Sequence, residues 1–260
     1  MSERAAPPIT TLVDIVFPQD TNHHGTLFGG VGLAHMDKVA FITASRHGRV
    51  DFVTASCERV DFVAPAHLGD LVELTGRIVR VGRRSLDVEV DLIAEAPISG
   101  ERRRCGSSIF HMVALGGLER SGGVLPALQP QEARPDQDEL RMVELVFPEQ
   151  TSHYGSLFGG HALAAMAKAA FVAATRRSRA AVVLAASPRV DFKSQIHKGE
   201  VLELSSRIIR TGRSSMMVEV ELWAENLLSG ARRRAGGGDF VMVAVGPDQR
   251  PIAIGAPAAG

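Results

Sequence analysis

The chain contains two copies of one domain-sized sequence. Residues 22–30 read NHHGTLFGG and residues 152–160 read SHYGSLFGG, so the two segments are offset by 130 residues. The same offset relates other segments, among them RVDF at 59–62 and 189–192. A period this long is the size of a whole domain and not of one unit of a solenoid. We therefore predict that the 260 residues form two domains of the same fold.

The predicted domain boundaries follow shifts in composition. The first domain is expected over residues 8–116 and the second over residues 140–246. Between them, residues 117–139 are rich in glycine, proline, glutamine and charge, which is typical of a linker. Residues 247–260 become mostly alanine, glycine and proline, and we predict a flexible tail there.

Each copy predicts one strand, one helix and then four strands. In the first copy the helix is expected over residues 30–45, which have helical length, few helix breakers and apolar residues at helical spacing. Alternation of apolar and acidic residues over 86–92 is typical of a half-buried antiparallel strand. The other strands are expected at 12–17, around Val60 and Phe62, at 71–80 and at 110–114. This order predicts an α+β layer in which the helix packs against a curved antiparallel sheet.

Composition excludes several classes of function. The 29 basic and 29 acidic residues balance, so net charge gives no reason to expect nucleic acid or an anionic membrane as a partner. No apolar run reaches the roughly 18 residues of a spanning helix, and the first residues lack the apolar core of a signal peptide. The two cysteines, Cys57 and Cys105, correspond to Ser187 and Ala235 in the second copy. A disulfide framework is therefore not expected, and we predict a cytoplasmic protein.

The two copies differ at an informative position of the predicted helix. Asp37 of the first copy corresponds to Ala167 of the second. Leu33 and Phe41 lie one turn to either side, so the pattern places Asp37 on an apolar face, where an isolated carboxylate is costly. We interpret the contrast as a duplicated fold with one working site. The alternative is that Asp37 reaches solvent or pairs with a neighbour, although adjacent helical residues such as Lys38 do not face each other.

The ordered motifs resemble those of a known enzyme family. GxLFGG precedes the helix, Met36 and Asp37 lie within it, VDF follows it, and GRxS comes later. This order resembles that of the hot-dog-fold acyl-CoA thioesterases, and its duplication is similar to that of the tandem hot-dog acyl-CoA hydrolases. The resemblance implies two tandem hot-dog domains paired as a pseudo-dimer, which hydrolyse acyl-CoA to a free acid and coenzyme A. It implies no cofactor beyond the coenzyme A of the substrate, a role in lipid metabolism, and a homotrimer of tandem chains.

The resemblance also implies a composite active site. Asp37 would act on the thioester, either as general base to water or as nucleophile. The helix start of the other copy would stabilise the oxyanion, with the N–H of Gly159 as donor. The reciprocal site would lack a carboxylate, because Ala167 takes its place. Glu58, whose counterpart is Pro188, is a further candidate to orient water, and its alternative role is that of a solvated strand carboxylate.

The loops before the two helices supply further candidates. The family's loop asparagine corresponds to Asn22, but the loop expected to face Asp37 carries Ser152 instead. The hydroxyl of Ser152 or Ser156 would then replace the amide, and His153 would face the same site. The alternatives are that Asn22 is an ordinary turn residue and that His153 packs within its turn. No metal site is predicted, because the histidines lack ligand spacing and nearby carboxylates or thiols.

Basic turns are the candidates for binding the phosphates of coenzyme A, since arginine binds phosphate through paired N–H groups. The turn residues of the two copies are Arg83, Arg84, Ser85, Arg213 and Ser215. Further candidates are Arg80 and Arg210. The alternative is an ordinary solvated hairpin turn. The RRR segments at 102–104 and 232–234 are interpreted as turn charges.

Two other functions remain open at this point. One is a non-catalytic acyl-CoA binding or regulatory protein, which the separation of Asn22 from the site of Asp37 favours. The other is a hot-dog enoyl-thioester hydratase, which uses a histidine together with a carboxylate. The sequence offers no histidine at a spacing that shares the helix face of Asp37.

Overall fold

The chain folds into two compact units. The computed structural model describes residues 9–128 and 139–255. The first unit contains residues 9–95, 102–128 and 225–232, and the second contains residues 96–101, 139–224 and 233–255. The duplication in the sequence is therefore matched by a duplication in the structure.

In the first unit one long helix packs against a five-stranded sheet. Its elements are β1 (Thr10–Ile15), α1 (Gly29–Gly48), β2 (Phe52–Cys57), β3 (Leu71–Val81), β4 (Ser85–Glu95) and β5 (Arg102–Ala114), with short 3₁₀ turns at Pro18–Asp20 and Leu118–Ser121. The strands pair antiparallel in the order β1-β3-β4-β5-β2. The helix α1 ends where Arg49 takes a left-handed backbone conformation, with φ of 52°, and donates its N–H to the carbonyl of Ser45.

The second unit repeats the same order of elements. They are β6 (Leu140–Leu145), α2 (Gly159–Ser178), β7 (Ala181–Phe192), β8 (Glu200–Thr211), β9 (Ser215–Asn226) and β10 (Arg232–Val245), with a 3₁₀ turn at Pro148–Gln150. The sheet order is β6-β8-β9-β10-β7. The predicted sequence of one strand, one helix and four strands is confirmed in both copies. In the described part of the chain no helix is both long enough and apolar enough to cross a membrane.

The core of each unit lies between the helix and the sheet. In the first unit Met36 and Val39 of α1 are buried in one cluster with Val88 and Leu92 of β4. Burial of a side chain of this size contributes about 1.5–3 kcal/mol, so the helix is held mainly by its contact with the sheet. Alternate residues of β4 point to the opposite face of the sheet, as the period-two pattern predicts. The predicted α+β fold is confirmed.

The strand that follows α1 differs from the prediction. In the first unit it is β2, Phe52–Cys57, and the chain has already left the strand at Val60 and Phe62. The prediction of a strand around Val60 and Phe62 is therefore wrong for this copy. In the second unit β7 continues to Phe192, the counterpart of Phe62. Every side chain of β2 after Phe52 is exposed.

The RRR segments do not lie in turns, which corrects their interpretation as turn charges. They begin β5 and β10. Ion pairs with carboxylates of the same unit are formed by Arg102, Arg103, Arg104, Arg233 and Arg234. Arg102 donates to Glu95 at 2.9 Å and to Glu73 at 2.7 Å. Cross-strand ion pairs of this kind add roughly 0.2–1 kcal/mol each to a sheet. These arginines therefore have a structural role within their units.

The structure describes the first part of the predicted linker and the first part of the predicted tail, and both parts contact their units. Leu118 and Leu125 are buried in the core of the first unit, and the N–H of Leu125 donates to the carbonyl of Arg83 at 2.8 Å. In the second unit the N–H of Ile254 donates to the carbonyl of Arg213 at 2.8 Å. Each of the two basic turns is thus held by the segment that follows the last strand of its unit. The rest of the predicted linker, 129–138, and of the tail, 256–260, lies outside the described residues.

Candidate active site

Asp37 and Thr54 form a hydrogen-bonded pair between α1 and β2. The Thr54 hydroxyl donates to Oδ1 of Asp37 at 2.5 Å. A hydrogen bond to an ionised carboxylate is short and strong, so it fixes the orientation of the Asp37 side chain. No residue in the described ranges 9–128 and 139–255 donates to Oδ2 of Asp37. That oxygen therefore remains available to a water molecule or a substrate.

Asp37 stands at the edge of the buried face of α1. Met36 and Ala40 are completely buried, whereas Asp37 is half-buried and Leu33 is 37% exposed. Phe41 packs against the core, as the predicted apolar face requires, whereas Leu33 is exposed, so Asp37 lies where this face meets solvent. A half-buried carboxylate with a hydroxyl partner avoids the cost of full desolvation. It also stays accessible to a reactant.

Thr54 was missed by the sequence analysis, although the repeat contains a signal for it. Its counterpart in the second copy is Leu184, just as the counterpart of Asp37 is Ala167. Both members of the polar pair are thus replaced by apolar residues at the matching positions. A comparison of all polar-to-apolar differences between the copies would have found Thr54 together with Asp37.

The first turn of α2 presents backbone donors that no described residue accepts. His161 and Ala162 donate to the carbonyl of Phe158. For the N–H groups of Gly159 and Gly160 there is no acceptor within the described part of the chain. Gly159 is exposed, and in the described ranges no atom lies within 4 Å of the position that a side chain would take there. Such N–H groups at the positive end of a helix dipole are suited to stabilising an oxyanion.

The second glycine of each LFGG motif makes room for an aromatic ring. A side chain at Gly160 would meet the ring of Phe158 at 3.0 Å, and one at Gly30 would meet Phe28 at 2.6 Å. The glycine therefore allows the phenylalanine to fold back over the helix start. This packing fixes where each helix begins.

Asn22 is engaged inside its own loop. Its Oδ1 accepts from the N–H of His24 at 2.8 Å, and its Nδ2 donates to Thr26 at 3.0 Å. The turn closes at Gly25, whose φ of 72° is readily adopted only by glycine. These contacts are those of a turn residue, the alternative considered for Asn22. A role of Asn22 in catalysis stays a prediction.

The second loop has the same shape with weaker side-chain contacts. The Ser152 hydroxyl lies 3.5 Å from that of Ser156 and accepts from the N–H of Tyr154 at 3.3 Å. The ring of His153 packs on that of Tyr154, with centroids 3.8 Å apart. Both serine hydroxyls keep capacity for a further hydrogen bond. Their assignment to the active site, like that of His153, remains a prediction.

Glu58 lies with a different set of groups. Its carboxylate is 3.7 Å from Nε2 of His111, whose Nδ1 is 2.8 Å from Asp87. His111 lies between the buried Phe110 and Met112 on β5, so its side chain points to the face of the sheet away from α1. The structure therefore brings Glu58 to His111 and not to the Asp37 carboxylate.

Arg80 completes this row of polar side chains across the first sheet. Its guanidinium donates twice to Asp87, at 2.5 and 3.2 Å. Burial alone would raise the pKa of Asp87, but the hydrogen bonds from Arg80 and His111 outweigh it, so the pKa lies below its ordinary value. The second copy has Arg210, Met217, Val241 and Pro188 at the four matching positions. Arg80 is thus already bound to a carboxylate, whereas Arg210 is exposed and has no ion-pair partner among the described residues.

The two basic turns are exposed, as predicted. The guanidinium groups of Arg83, Arg84 and Arg213 have no carboxylate partner within the part of the chain that the structure describes. Ser85 and Ser215 begin β4 and β9, and their carbonyls accept the N–H groups of Gly82 and Gly212 at 2.7 Å. The turns therefore present unpaired positive charge on a defined backbone. Such charge is suited to an anionic ligand.

The described residues contain no metal-binding cluster. No group of three or more histidine, cysteine, aspartate or glutamate side chains is arranged to hold an ion there. His23 and His24 pack on each other, with ring centroids 3.8 Å apart.

Comparison with known proteins identifies the family. The model of the thioesterase superfamily matches residues 24–100 and again residues 154–231. The crystal structure of an acyl-CoA hydrolase from Agrobacterium tumefaciens is 53% identical in sequence, with a TM-score of 0.87, over 95% of this chain and 98% of that one. The two matches cover both copies of the repeat.

Two curated relatives have related names. An uncharacterized acyl-CoA thioester hydrolase of Bacillus subtilis is 44% identical over 38% of this chain and 58% of its own length. The cytosolic acyl coenzyme A thioester hydrolase of Rattus norvegicus is 22% identical over 92% of this chain and 75% of its own length. The chain thus matches little more than half of the first relative and three quarters of the second. From the double family match and the tandem fold, the chain belongs to the thioesterase superfamily, and within it to the tandem hot-dog acyl-CoA thioesterases.

Proposed function

We propose that this protein hydrolyses acyl-CoA to a free acid and coenzyme A at one composite site, with Asp37 as its catalytic carboxylate. The observation that carries the proposal is the Thr54–Asp37 hydrogen bond in the first unit, set against Leu184 and Ala167 in the second. The carboxylate has one oxygen held by a hydroxyl and one oxygen available. This is the arrangement that a general base requires, because the base must be oriented and also within reach of a water molecule.

The proposed reaction proceeds by attack of water on the thioester. Asp37 takes a proton from water, and the oxygen of that water forms a bond to the carbonyl carbon. The carbonyl electron pair moves to oxygen and returns when the C–S bond breaks. The sulfur of coenzyme A leaves with the bonding electrons and takes the proton from Asp37. Each turnover therefore consumes one water and restores the carboxylate.

We assign stabilisation of the oxyanion to the N–H of Gly159. The exposed position of Gly159 and the missing acceptor for its N–H among the described residues support this assignment. Removing one such donor from an enzyme costs about 10²–10³ in kcat. In this proposal the two units pair as a pseudo-dimer, so that the second unit supplies the donor and the first supplies the acid. The serines at 152 and 156 would hydrogen-bond the attacking water.

The basic turns are assigned to the phosphates of coenzyme A. Arg83, Arg84 and Arg213 support this assignment because they are exposed and carry no ion pair among the described residues. Assembly as a homotrimer and a cytoplasmic location belong to the same proposal. The cytosolic name of the rat relative agrees with that location.

The test is release of the coenzyme A thiol from a series of saturated acyl-CoA esters of increasing chain length. We expect wild-type turnover, and a fall of about 10²–10⁴ in kcat for Asp37→Ala and Asp37→Asn. The control is Asp61→Asn, which changes an exposed carboxylate whose ion-pair partner among the described residues is Arg59. Undiminished turnover in Asp37→Ala would remove Asp37 from the reaction.

The same experiment separates the two other functions. Tight binding of acyl-CoA esters without any thiol release would identify a binding protein. Addition of water to an enoyl-CoA without thiol release would identify a hydratase. The position of His111 beside Asp87, and not beside Asp37, gives no support to the hydratase.

A further inference from the structure

The two copies differ most in the segment that follows the strand after the helix. In the second unit β7 pairs with β10 as far as Asp191 opposite Gly237 and Phe192 opposite Gly236. In the first unit the pairing of β2 with β5 ends at Cys57. The N–H of Glu58 still donates to the carbonyl of Ile109 at 2.8 Å, and the next backbone hydrogen bond to β5 comes at Val63, whose N–H donates to the carbonyl of Cys105 at 2.8 Å. Residues 59–62 therefore form no ladder pairs with β5 in the first unit, although the carbonyl of Asp61 still lies beside Gly106 and the sequence is RVDF in both copies.

Small residues on the neighbouring strand account for this difference. β10 carries glycine at 236–238, and a side chain at Gly236 would come within 2.3 Å of the Asp191 carbonyl. A side chain at Gly238 would come within 2.9 Å of the carbonyl of Arg189. β5 has serine at the matching position 108, and its hydroxyl donates to the carbonyl of Glu58 at 2.9 Å. At the position of Gly236 the first copy also has glycine, Gly106, so the full ladder requires the glycine at 238, where the first copy has Ser108.

In the first unit residues 59–62 place the ring of Phe62 against the start of α1. A side chain at Gly29 would meet the Phe62 ring at 3.5 Å, and one at Gly32 would meet it at 3.4 Å. From the sheet side, Gly106 of β5 is equally close to the ring, at 3.4 Å. The ring therefore lies between the first turn of α1 and the sheet.

The corresponding space in the second unit is arranged differently. No atom of the residues that the structure describes lies within 4 Å of a side chain placed at Gly159. Ala162 occupies the position of Gly32, so its methyl group takes part of the room that the ring uses in the first unit. Phe62 and Phe192 are exposed to similar extents, 46% and 49%. What separates them is therefore their location and not their burial.

We infer that Phe62 closes the start of α1 to the thioester, so that only α2 offers its helix N-terminus to a substrate. The inference rests on the proposed function. It explains why the reciprocal site, which would combine position 167 of α2 with the start of α1, is not used. The reciprocal site then lacks three features: the carboxylate at Ala167, the hydroxyl at Leu184 and an open helix start. Restoring the carboxylate alone is not expected to activate it.

The experiment counts binding sites for a dethia acyl-CoA, in which a methylene replaces the thioester sulfur. The chain length is the one that wild type hydrolyses fastest. By titration calorimetry we expect about one site per chain in wild type and about two in Phe62→Ala, because a carbonyl can then reach the N–H groups of α1. Phe192→Ala is the matched control and should leave the number at about one. Phe62→Leu, which keeps an apolar residue but loses the ring, should also add a second site.

Two results would overturn the role of Phe62. One is two sites in wild type, and the other is an unchanged single site in both Phe62 variants. Failure of the proposed function has a different signature, which is wild-type turnover that survives Asp37→Ala. A second readout uses the Asp37→Ala background with Ala167→Asp and Leu184→Thr added. Turnover should reappear there only after Phe62→Ala, and its reappearance with Phe62 intact would also overturn the inference.

Discussion

The hydroxyl of Thr54 donates to the carboxylate of Asp37 at 2.5 Å, and this contact joins β2 to α1 at the edge of the first unit's core. Neither residue is fully buried, so the pair is both oriented and accessible. In the second copy Leu184 and Ala167 leave no polar group at either position. The second copy therefore lacks the whole pair and not only the acid.

Replacement of Thr54 by valine should lower kcat about tenfold with little change in KM. A hydrogen bond to a charged group is worth about 1.5–3 kcal/mol, and the smaller value corresponds to roughly a factor of ten. The measurement is steady-state thiol release. Thr54→Ser keeps the hydroxyl and should retain most of the activity. If Thr54→Ser is as slow as Thr54→Val, the hydroxyl does not position Asp37.

Replacement of the turn arginines should weaken recognition of the coenzyme A phosphates. Arg83→Ala and Arg213→Ala should each raise KM for acyl-CoA about fivefold to tenfold, as expected for the loss of a charge-assisted contact. The same variants should hydrolyse acyl-pantetheine, which lacks the nucleotide phosphates, as wild type does. Arg207→Ala is the control, because this arginine is already paired with Glu219 at 2.7 Å. Equal losses with both substrates would contradict a phosphate role.

Stability should fall in acid through Glu200. Burial alone would raise the pKa of Glu200, but hydrogen bonds from Arg233 and from the N–H of His197 outweigh it and lower the pKa below its ordinary 4.5. A lowered pKa means that the unfolded state binds the proton more readily. The contribution of Glu200 is therefore complete above about pH 4.5 and is lost as the pH falls through the folded-state value.

The measurement is the urea midpoint of unfolding at a series of pH values. Glu200→Gln should be less stable than wild type near neutral pH, and its stability should decline less on acidification. Glu149→Gln, at an exposed position, is the control and should follow wild type. Parallel curves of stability against pH for wild type and Glu200→Gln would show that the pKa of Glu200 is the same in the folded and unfolded states.

The two cysteines should react very differently with a thiol reagent. Cys57 is exposed at the end of β2, whereas Cys105 is buried in the first core. Burial raises the pKa of the Cys105 thiol, which keeps it protonated and unreactive. We expect one thiol per chain to react in the native protein and two after unfolding. Cys57→Ser should abolish the native reaction, and rapid labelling of that variant would contradict the burial of Cys105.

The sequence by itself determined the duplication and the fold of each copy. The offset of 130 residues and the alternation along β4 were sufficient for this, because a repeat and a period of two are local properties of the chain. The sequence also identified Asp37 as a residue of the helix that differs between the copies, because the contrast with Ala167 is visible in the sequence alone. The turns at Arg83 and Arg213 were recognised for the same reason.

Tertiary structure alone decided what surrounds these residues. Thr54 meets Asp37 across 17 positions of chain, and Glu58 meets His111 on the opposite face of the sheet. The position of Phe62 depends on serine or glycine in a strand more than 40 residues later. Contacts of this kind follow from how strands pair, and strand pairing is set by packing over the whole unit. The local sequence RVDF is identical in the two copies and adopts two different courses for that reason.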